Sequence, residues 1–588
     1  MAVLQFCRRC ARLPVGGVPS PLVTLLSRVL TLSAVLTLIG LLPWLSGRDP
    51  ALALLRARSS EREATPETLA AIRQHLGLDQ GPLAILQQWL TRLLQGDAGD
   101  SWVSGRPVLP GMLEAAGVSL TLMFYALLVA LPVTALLCLN TLRRGLRGEN
   151  QRSSGLWAAA LTALPEFLLS SLLLAAGAVW LRWFPPYGWH GWQYVVLPAL
   201  ALGIPAGGLL GRLLGDALTT TFSEPWLLTW SVAGIPARRR LAAVLRRTLP
   251  AVMPQVGLVI VGLTGGAIAV EKVFAIPGLG RATLGAAAAQ DLPALQCGIL
   301  ILLLIAALAG IGANSLRRLL LGRAIDSGAL PIPAGRIAAG RRAWLIPLGA
   351  AVLLLALVAA GLPRDALSSG FERLQPPGAG LPFGADATGR DLLARVAHGA
   401  LTTSLTALAV TLGCLLIGLV IGQFPRLFSG PVEVTNAMPP VIAGMLIASL
   451  LGPTLYGAAL AVLLVSWAPL AAHTAALAVE TRAQTHVRIA PVLGVGRLRL
   501  LTHYIIPSLI GPVTRHAMLR LPGIALALAG LGFLGLGQQP PQPEWGRVLA
   551  EGMPYAERAV WTVLAPIGAL VLLSVLAVSL GNLTRRSR

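Results

Sequence analysis

GIPARRRLAAVLRRTLPAVMPQVGLVIVGLTGGAIAVEKVFAIPGLG, residues 234–280, returns in outline as GVGRLRLLTHYIIPSLIGPVTRHAMLRLPGIALALAGLGFLGLG at residues 494–537. Each stretch opens on a glycine in a basic segment that ends at a proline, Pro250 or Pro507. An apolar run follows, and the stretch closes on Phe274-Ala-Ile-Pro-Gly-Leu-Gly280 or Phe533-Leu-Gly-Leu-Gly537. The glycines that open and close them lie 46 and 43 residues apart. Recurrence of this kind marks an internal duplication. Two like halves in parallel orientation imply a pseudo-two-fold axis along the membrane normal, with a translocation path on it.

Working outward, apolar stretches of roughly 20 residues, the length of a bilayer span, recur from Leu22 to Leu583. The 588 residues are 55% hydrophobic and 12% charged, which soluble globular composition does not describe. We therefore expect an all-α polytopic membrane protein of about twelve transmembrane helices. The first six-helix half covers 1–320, with an external segment at about 46–110. A Gly/Ala/Pro/Arg-rich cytoplasmic linker follows at 321–342, and the second half covers 343–588. The net charge of +22 does not indicate nucleic acid, because the arginines lie between apolar runs rather than on one basic face. They read as topology signals. Arg143 to Arg152, Arg238 to Arg247, Arg317 to Arg342, Arg426, Arg482 to Arg499 and Arg585 to Arg588 fall on one alternating side, the cytoplasm, and place both termini there. The first apolar run, about Leu22 to Leu45, is too long and lacks the small-residue cleavage site of a secretory signal. Cys7 and Cys10 form a lone CxxC, and Cys138, Cys297 and Cys414 have no partner spacing, so no metal site is expected.

The external segment carries helix signals: Thr65 as N-cap, Pro66 at the first helical position, Gly77 as terminator, and a second amphipathic helix from Pro82 to Gln95. It reads equally as a docking surface or as a structural cap. Glu166, after Pro165 within the third span, either faces the path and meets a cationic part of the solute or is a hydrogen-bonded packing residue. Asp216, Glu433 and Glu480 lie near cytoplasmic ends and read as solvated, and His473 reads as helix packing. Trp180, Trp183, Trp189 and Trp192 around Pro185-Pro-Tyr187 fit an interfacial aromatic belt, with solute stacking as the alternative. Gly203, Gly207, Gly208 and Gly211 read as close helix packing in the fourth span. Paired external carboxylates, metal-ligand spacing and a nucleophile–base set are all missing, which argues against a membrane enzyme.

At these residues the chain resembles the dipeptide, oligopeptide and nickel permease family of ABC importers across nearly its whole length. The first half is similar to the family's first permease through Leu76-Gly-Leu-Asp79, Gln95-Gly-Asp97 to Arg106-Pro107-Val108, and Val270-Glu-Lys-Val-Phe274 running into Pro277-Gly-Leu-Gly280. The second half is similar to the companion permease through Pro382-Phe-Gly-Ala-Asp386, Gly389-Arg-Asp391, Phe533-Leu-Gly-Leu-Gly537, Pro540-Pro541 and Glu544-Trp-Gly546.

The resemblance implies a fused pair of permease subunits with the type I ABC importer transmembrane fold, in the bacterial inner membrane. It implies a periplasmic solute-binding protein and two cytoplasmic ABC ATPase domains as partners, with ATP and Mg on the ATPase and no cofactor in this chain. The sequence agrees, since its sole lysine is Lys272, preceded by Glu271, and a Walker A loop needs a lysine after glycine. Trp226 to Pro250 and Thr485 to Pro507 correspond to the family's ATPase-docking loops. The residues carried over are Trp226, Thr229, Gly234, Arg246 and Pro250 in the first loop, and Val487, Arg488, Ala490, Gly494, Tyr504 and Pro507 in the second. A basic loop that only sets topology is the plain alternative. The glutamate-alanine-alanine core usual before the glycine is absent: Leu228-Thr-Trp230 and Arg488-Ile-Ala490 stand there. Glu271, Phe274, Pro277, Gly280, Asp386, Gly389, Arg390, Asp391 and Trp545 are expected to serve periplasmic docking or gating. Peptides are the expected solute, nickel or a metal chelate the alternative, and a gradient-driven secondary transporter the rival of another class.

Overall fold

The computed structural model describes residues 21–45, 51–52, 55, 65–75, 81–149, 161, 165–321, 344–425, 427–436 and 438–585. The expected linker beyond Leu321, Cys7 and Cys10, the Leu76 to Asp79 segment, Arg152, Arg426 and the outermost terminal arginines lie outside the described residues. Among those described, the chain is helical, with three isolated bridges in its external loops.

In chain order the helices are α1 Pro21–Gly40, α2 Pro66–His75, α3 Pro82–Leu94, α4 Val108–Leu146, α5 Glu166–Leu173, α6 Gln193–Phe222, α7 Pro225–Val232, α8 Ala237–Val273, α9 Leu279–Ala288 and α10 Leu292–Leu321. The second half continues with α11 Leu345–Gly361, α12 Leu392–Ile421, α13 Ser429–Asn436, α14 Pro440–Leu451, α15 Leu455–Ala483, α16 Thr485–Ile489, α17 Ile506–Leu534, α18 Trp545–Gly552 and α19 Trp561–Arg585. α5 passes into a π-helical turn, Leu174–Trp180, that ends at the tryptophan cluster.

Among the described residues seven helices are long and apolar enough to cross a bilayer, eight if the bent pair α13 and α14 is one span. The sequence expectation of about twelve is met in position rather than in length. Shorter apolar helices stand at Leu25–Gly40, Glu166–Trp180, Leu345–Gly361 and Trp561–Leu576, where the remaining spans are expected. Proline opens the described part of the third span in each half. Pro165 caps α5 and Pro439 caps α14, and at the second the chain turns by 96°.

The described residues fall into two compact units. The larger comprises Leu38–Val410, Ala437–Val465 and Leu519–Arg588. Its tightest seam is between α4 and α6, where the glycines of the fourth span do what their spacing predicts. A Cβ on Gly203 would come 2.6 Å from the Ala126 carbonyl, one on Gly207 2.7 Å from Val133, and one on Gly211 2.6 Å from Leu137. Thr134 adds a hydrogen bond to the Gly207 carbonyl at 3.2 Å.

The smaller unit comprises Met1–Thr37, Thr411–Asn436 and Ser466–Met518. Here too the second and fourth spans of a half meet over glycine, but the glycines sit on the other partner. Gly418 and Gly422 of α12 face Leu470 and Thr474 of α15, at 2.9 and 2.5 Å from an added Cβ. Glu433 is exposed and pairs there with Arg28 Nε at 2.6 Å. His473 packs as expected, its ring stacked on His516 at 4.2 Å.

Candidate functional site

The first glycine loop is built on a clamp. α7 starts at Pro225, and Glu224 just before it receives Trp226 Nε1 at 2.5 Å and pairs with Arg247 Nε at 2.6 Å. Trp226 packs edge-on against Trp230 at 5.2 Å. Leu227 is 6% exposed and joins Cys138, Leu218 and Val244 in a core that anchors α7 to the ends of α4, α6 and α8. Gly234 then takes φ +71°, its N–H donating to the Ser231 carbonyl and that of Ile235 to the Trp230 carbonyl. That bond pair is a Schellman helix end, and its left-handed residue favours glycine. Pro236 follows, and α8 begins. Thr229 and Arg246 are exposed and Pro250 is buried.

The second loop repeats the construction. α16 is shorter, and Val487 is 3% exposed where Leu227 stands in the first loop, each seven residues before its glycine. Gly494 takes φ +84°, with its N–H on the Pro491 carbonyl and that of Val495 on the Ala490 carbonyl, the same bond pair. Ala490 is buried, Arg488 exposed and Tyr504 36% exposed. Two residues before each glycine stands a valine with its side chain in the open: Val232 is 83% exposed and Val492 85%. Each loop thus buries one apolar side chain inward and presents another outward at a fixed register.

Each half also carries a short helix whose first N–H groups meet a buried carboxylate. In the first half Glu271, fully buried, reaches from the end of α8 to the Arg281 N–H of α9 at 2.9 Å and accepts the Ser119 hydroxyl of α4 at 2.5 Å. In the second half Glu544 caps its own helix, accepting from Gly546 N–H at 2.9 Å, Arg547 N–H at 3.0 Å and the Thr403 hydroxyl of α12 at 3.3 Å. Ser119 and Thr403 are each the twelfth residue of their helices. Burial pushes the Glu544 carboxyl up to about 7 against its three donors.

Most of the expected outer residues are placed together, in internal bonds. Asp386 accepts Arg390 Nε at 2.8 Å and Arg395 Nη1 at 2.6 Å, and Glu551 accepts both the same arginines and Arg547. Burial alone would raise the Asp386 carboxyl. The Arg390 N–H, the Thr388 hydroxyl and the Arg395 guanidinium outweigh it and hold the group below the usual range. Asp391 pairs with Arg364 at 2.8 Å. Gly389 takes φ +80° with the Phe371 carbonyl 2.3 Å from an added Cβ, so no side chain fits there. Trp545 is 1% exposed and donates to the Val396 carbonyl at 2.8 Å. Phe274 and Gly280 are buried beside Glu271, whereas Pro277 is exposed.

Comparison with known proteins supplies the family. The model of the binding-protein-dependent transport system inner membrane component matches twice, over residues 151–325 and 409–587. The chain belongs to this family. Similar proteins include a di/tripeptide transport system permease protein, DppC, of Pseudomonas aeruginosa, 36% identical over 206 residues, 34% of this chain and 68% of the relative. A glutathione transport system permease protein, GsiC, of Salmonella paratyphi A is 32% identical over 284 residues, 47% of this chain and 89% of the relative. A putative peptide transport system permease protein of Brucella abortus is 31% identical over 250 residues, 41% of this chain and 79% of the relative.

Each of these relatives covers less than half of the chain, and the family match occurs once in each half, so this inner-membrane transport component is a fused pair. The residues that hold the transport component's two loops and two caps were only partly visible beforehand. Glu224 lies 23 residues from Arg247 with no spacing to flag it. Ser119 and Thr403 look like ordinary span hydroxyls. Glu544 does carry a signal, an acidic residue at a helix start with an open N–H three residues on.

Proposed function

We propose that this chain is the permease of an ATP-driven importer of peptides, in which a periplasmic binding protein delivers the solute and two cytoplasmic ATPase domains drive the change of access. ATP and Mg²⁺ belong to those partners. The observation that carries the reading is the matched pair of glycine loops, each with a buried anchor seven residues before the glycine and an exposed valine two before it. An exposed apolar side chain at the rigid end of a short helix, or in the turn that follows it, suits insertion into a partner's groove, and a valine needed for topology alone has no reason to recur in the open at one register. The names of the relatives favour peptides over nickel or a metal chelate as the solute.

Alternating access requires contacts that differ between two states. Drawing the two loops together by closure of the ATPase pair would supply that difference, acting through α8 in the first half and α17 in the second. The Arg247–Glu224 clamp ties α7 to α8, so that a pull on the loop reaches the span.

The test is uptake of a labelled dipeptide into proteoliposomes that contain the chain, its ATPases and a loaded binding protein. Uptake that needs ATP and survives an uncoupler supports the reading. Uptake that persists without ATP and collapses with the proton gradient would replace it with a gradient-driven transporter.

A further inference from the structure

Glu166 opens α5, and its carboxylate lies against α8, where a Cβ on Gly266 would come 3.1 Å from Glu166 Cδ. The side chain is only partly exposed. Among the described residues no other residue donates a hydrogen bond to that carboxylate; the bond described at Glu166 runs from Ser170 Oγ to its backbone carbonyl. Its own backbone N–H is the donor it has, and a carboxyl group within the span region with no second residue to satisfy it is costly; such groups mark solute or ion pathways.

The neighbouring Gly265 faces the second half, with Pro439 2.8 Å from an added Cβ. Lys272 follows Gly265 by seven residues, about two turns on, and so shares its face of the helix. Its Nζ donates to the Phe533 carbonyl at 2.9 Å and stands 5.6 Å from the centre of that ring. Phe533 in turn packs on Phe167, the residue after Glu166, at 5.5 Å. A carboxyl group, an aromatic pair and the chain's sole lysine therefore follow one another where the two family copies meet.

Gly266 and Lys272 are six residues apart on α8, an axial offset of about 9 Å on faces turned about 120° from one another. An extended peptide spans ~3.3–3.6 Å per residue. Two or three residues cover the axial part of that separation, and the long lysine side chain reaches round the rest. The geometry points to a lane that holds a short zwitterionic peptide by both ends, its ammonium on Glu166 and its carboxylate on Lys272, with its side chains over Phe167 and Phe533. This assignment rests on the reading of the chain as a peptide importer and deepens it. In the present structure the Phe533 carbonyl occupies Lys272. A peptide carboxylate displaces it, because a hydrogen bond between two charged groups is stronger than one to a neutral carbonyl.

The test compares Glu166→Gln and Lys272→Met with wild type, as full chains with their ATPases in nanodiscs. Saturation-transfer NMR measures weak binding of dialanine, N-acetyl-dialanine and dialanine amide, with no binding protein present to impose its own preference. Wild type is expected to prefer dialanine over either capped compound by about tenfold, the worth of a charge-assisted contact. Glu166→Gln should erase the preference over the N-acetyl compound and keep that over the amide. Lys272→Met should do the reverse. Each preference is a ratio within one preparation, so partial misfolding divides out. Unchanged ratios in both variants, or equal weakening of all three compounds, would overturn the lane. Dialanine uptake by wild-type proteoliposomes is scored separately. Its failure would count against the importer reading, whereas intact uptake with unchanged ratios counts against the lane alone.

Discussion

The Ser119 hydroxyl donates to Glu271 at 2.5 Å, and the hydroxyl at the same step of the matching helix, Thr403, donates to Glu544. Two halves with different motifs thus arrive at one device: a buried carboxylate at the start of a short helix, steadied by a hydroxyl from the half's second span. The first half lends the carboxylate from α8 and the second supplies it as the N-cap of α18.

Removing the device should unseat the short helix. Glu544→Ala leaves the Gly546 and Arg547 N–H groups without their acceptor and should cost ~2–4 kcal/mol. Thermal unfolding of the purified chain in detergent would report it as a lowered midpoint, with Thr403→Val falling by a smaller amount.

Close approach gives a sharper contrast. A Cβ on Gly546 would stand 1.7 Å from the Ala529 carbonyl, whereas one on Gly285 of α9 meets nothing within 4 Å. Gly546→Ala should therefore abolish folded yield. Gly285→Ala should leave yield unchanged or raise stability by up to ~1 kcal/mol through helix propensity. Size-exclusion profiles of the two variants decide the comparison.

The outer carboxylates make opposite contributions to pH dependence. Glu544 sits above its unfolded value of 4.5, at about 7, so the stability linked to it is fully present below about 4.5 and is lost as pH rises through 7. Asp386 is held below its usual value near ~3.9, so its contribution is present above that value and is lost as pH falls through the folded value. Melting scans should show Glu544→Gln flattening the slope between about 4.5 and 7, and Asp386→Asn removing the loss on the acid side. A Glu544→Gln chain with the wild-type slope across that window would contradict the assignment.

The large-scale architecture was legible because a bilayer imposes it. Apolar run length, arginine alternation and the repeated glycine-to-phenylalanine block each carry information in one dimension, and the glycines at 203, 207 and 211 declare a close helix contact by spacing alone. The outer residues were legible as important but not as to why. Asp386, Arg390 and Trp545 stand in conspicuous motifs, yet their bonds run to Arg395, Glu551 and the Val396 carbonyl, partners that only the folded chain selects. Span lengths were overestimated where proline intervenes. At Pro439 the chain is apolar on both sides, so hydropathy reads through a break that the missing N–H and the ring enforce. Lys272 was read for the nucleotide loop it fails to make. Its role at the seam depends on Phe533, 261 residues away.

If the two glycine loops are the handles of a separate motor, they set its ATP turnover. The full chain in nanodiscs, with its ATPases and a loaded binding protein, should hydrolyse ATP faster than the ATPases alone. Val232→Asp with Val492→Asp should lower co-purification of the ATPases and that stimulation by about tenfold or more while leaving the melting midpoint unchanged, since both side chains are exposed. Full stimulation and full co-purification in the double variant would contradict the account.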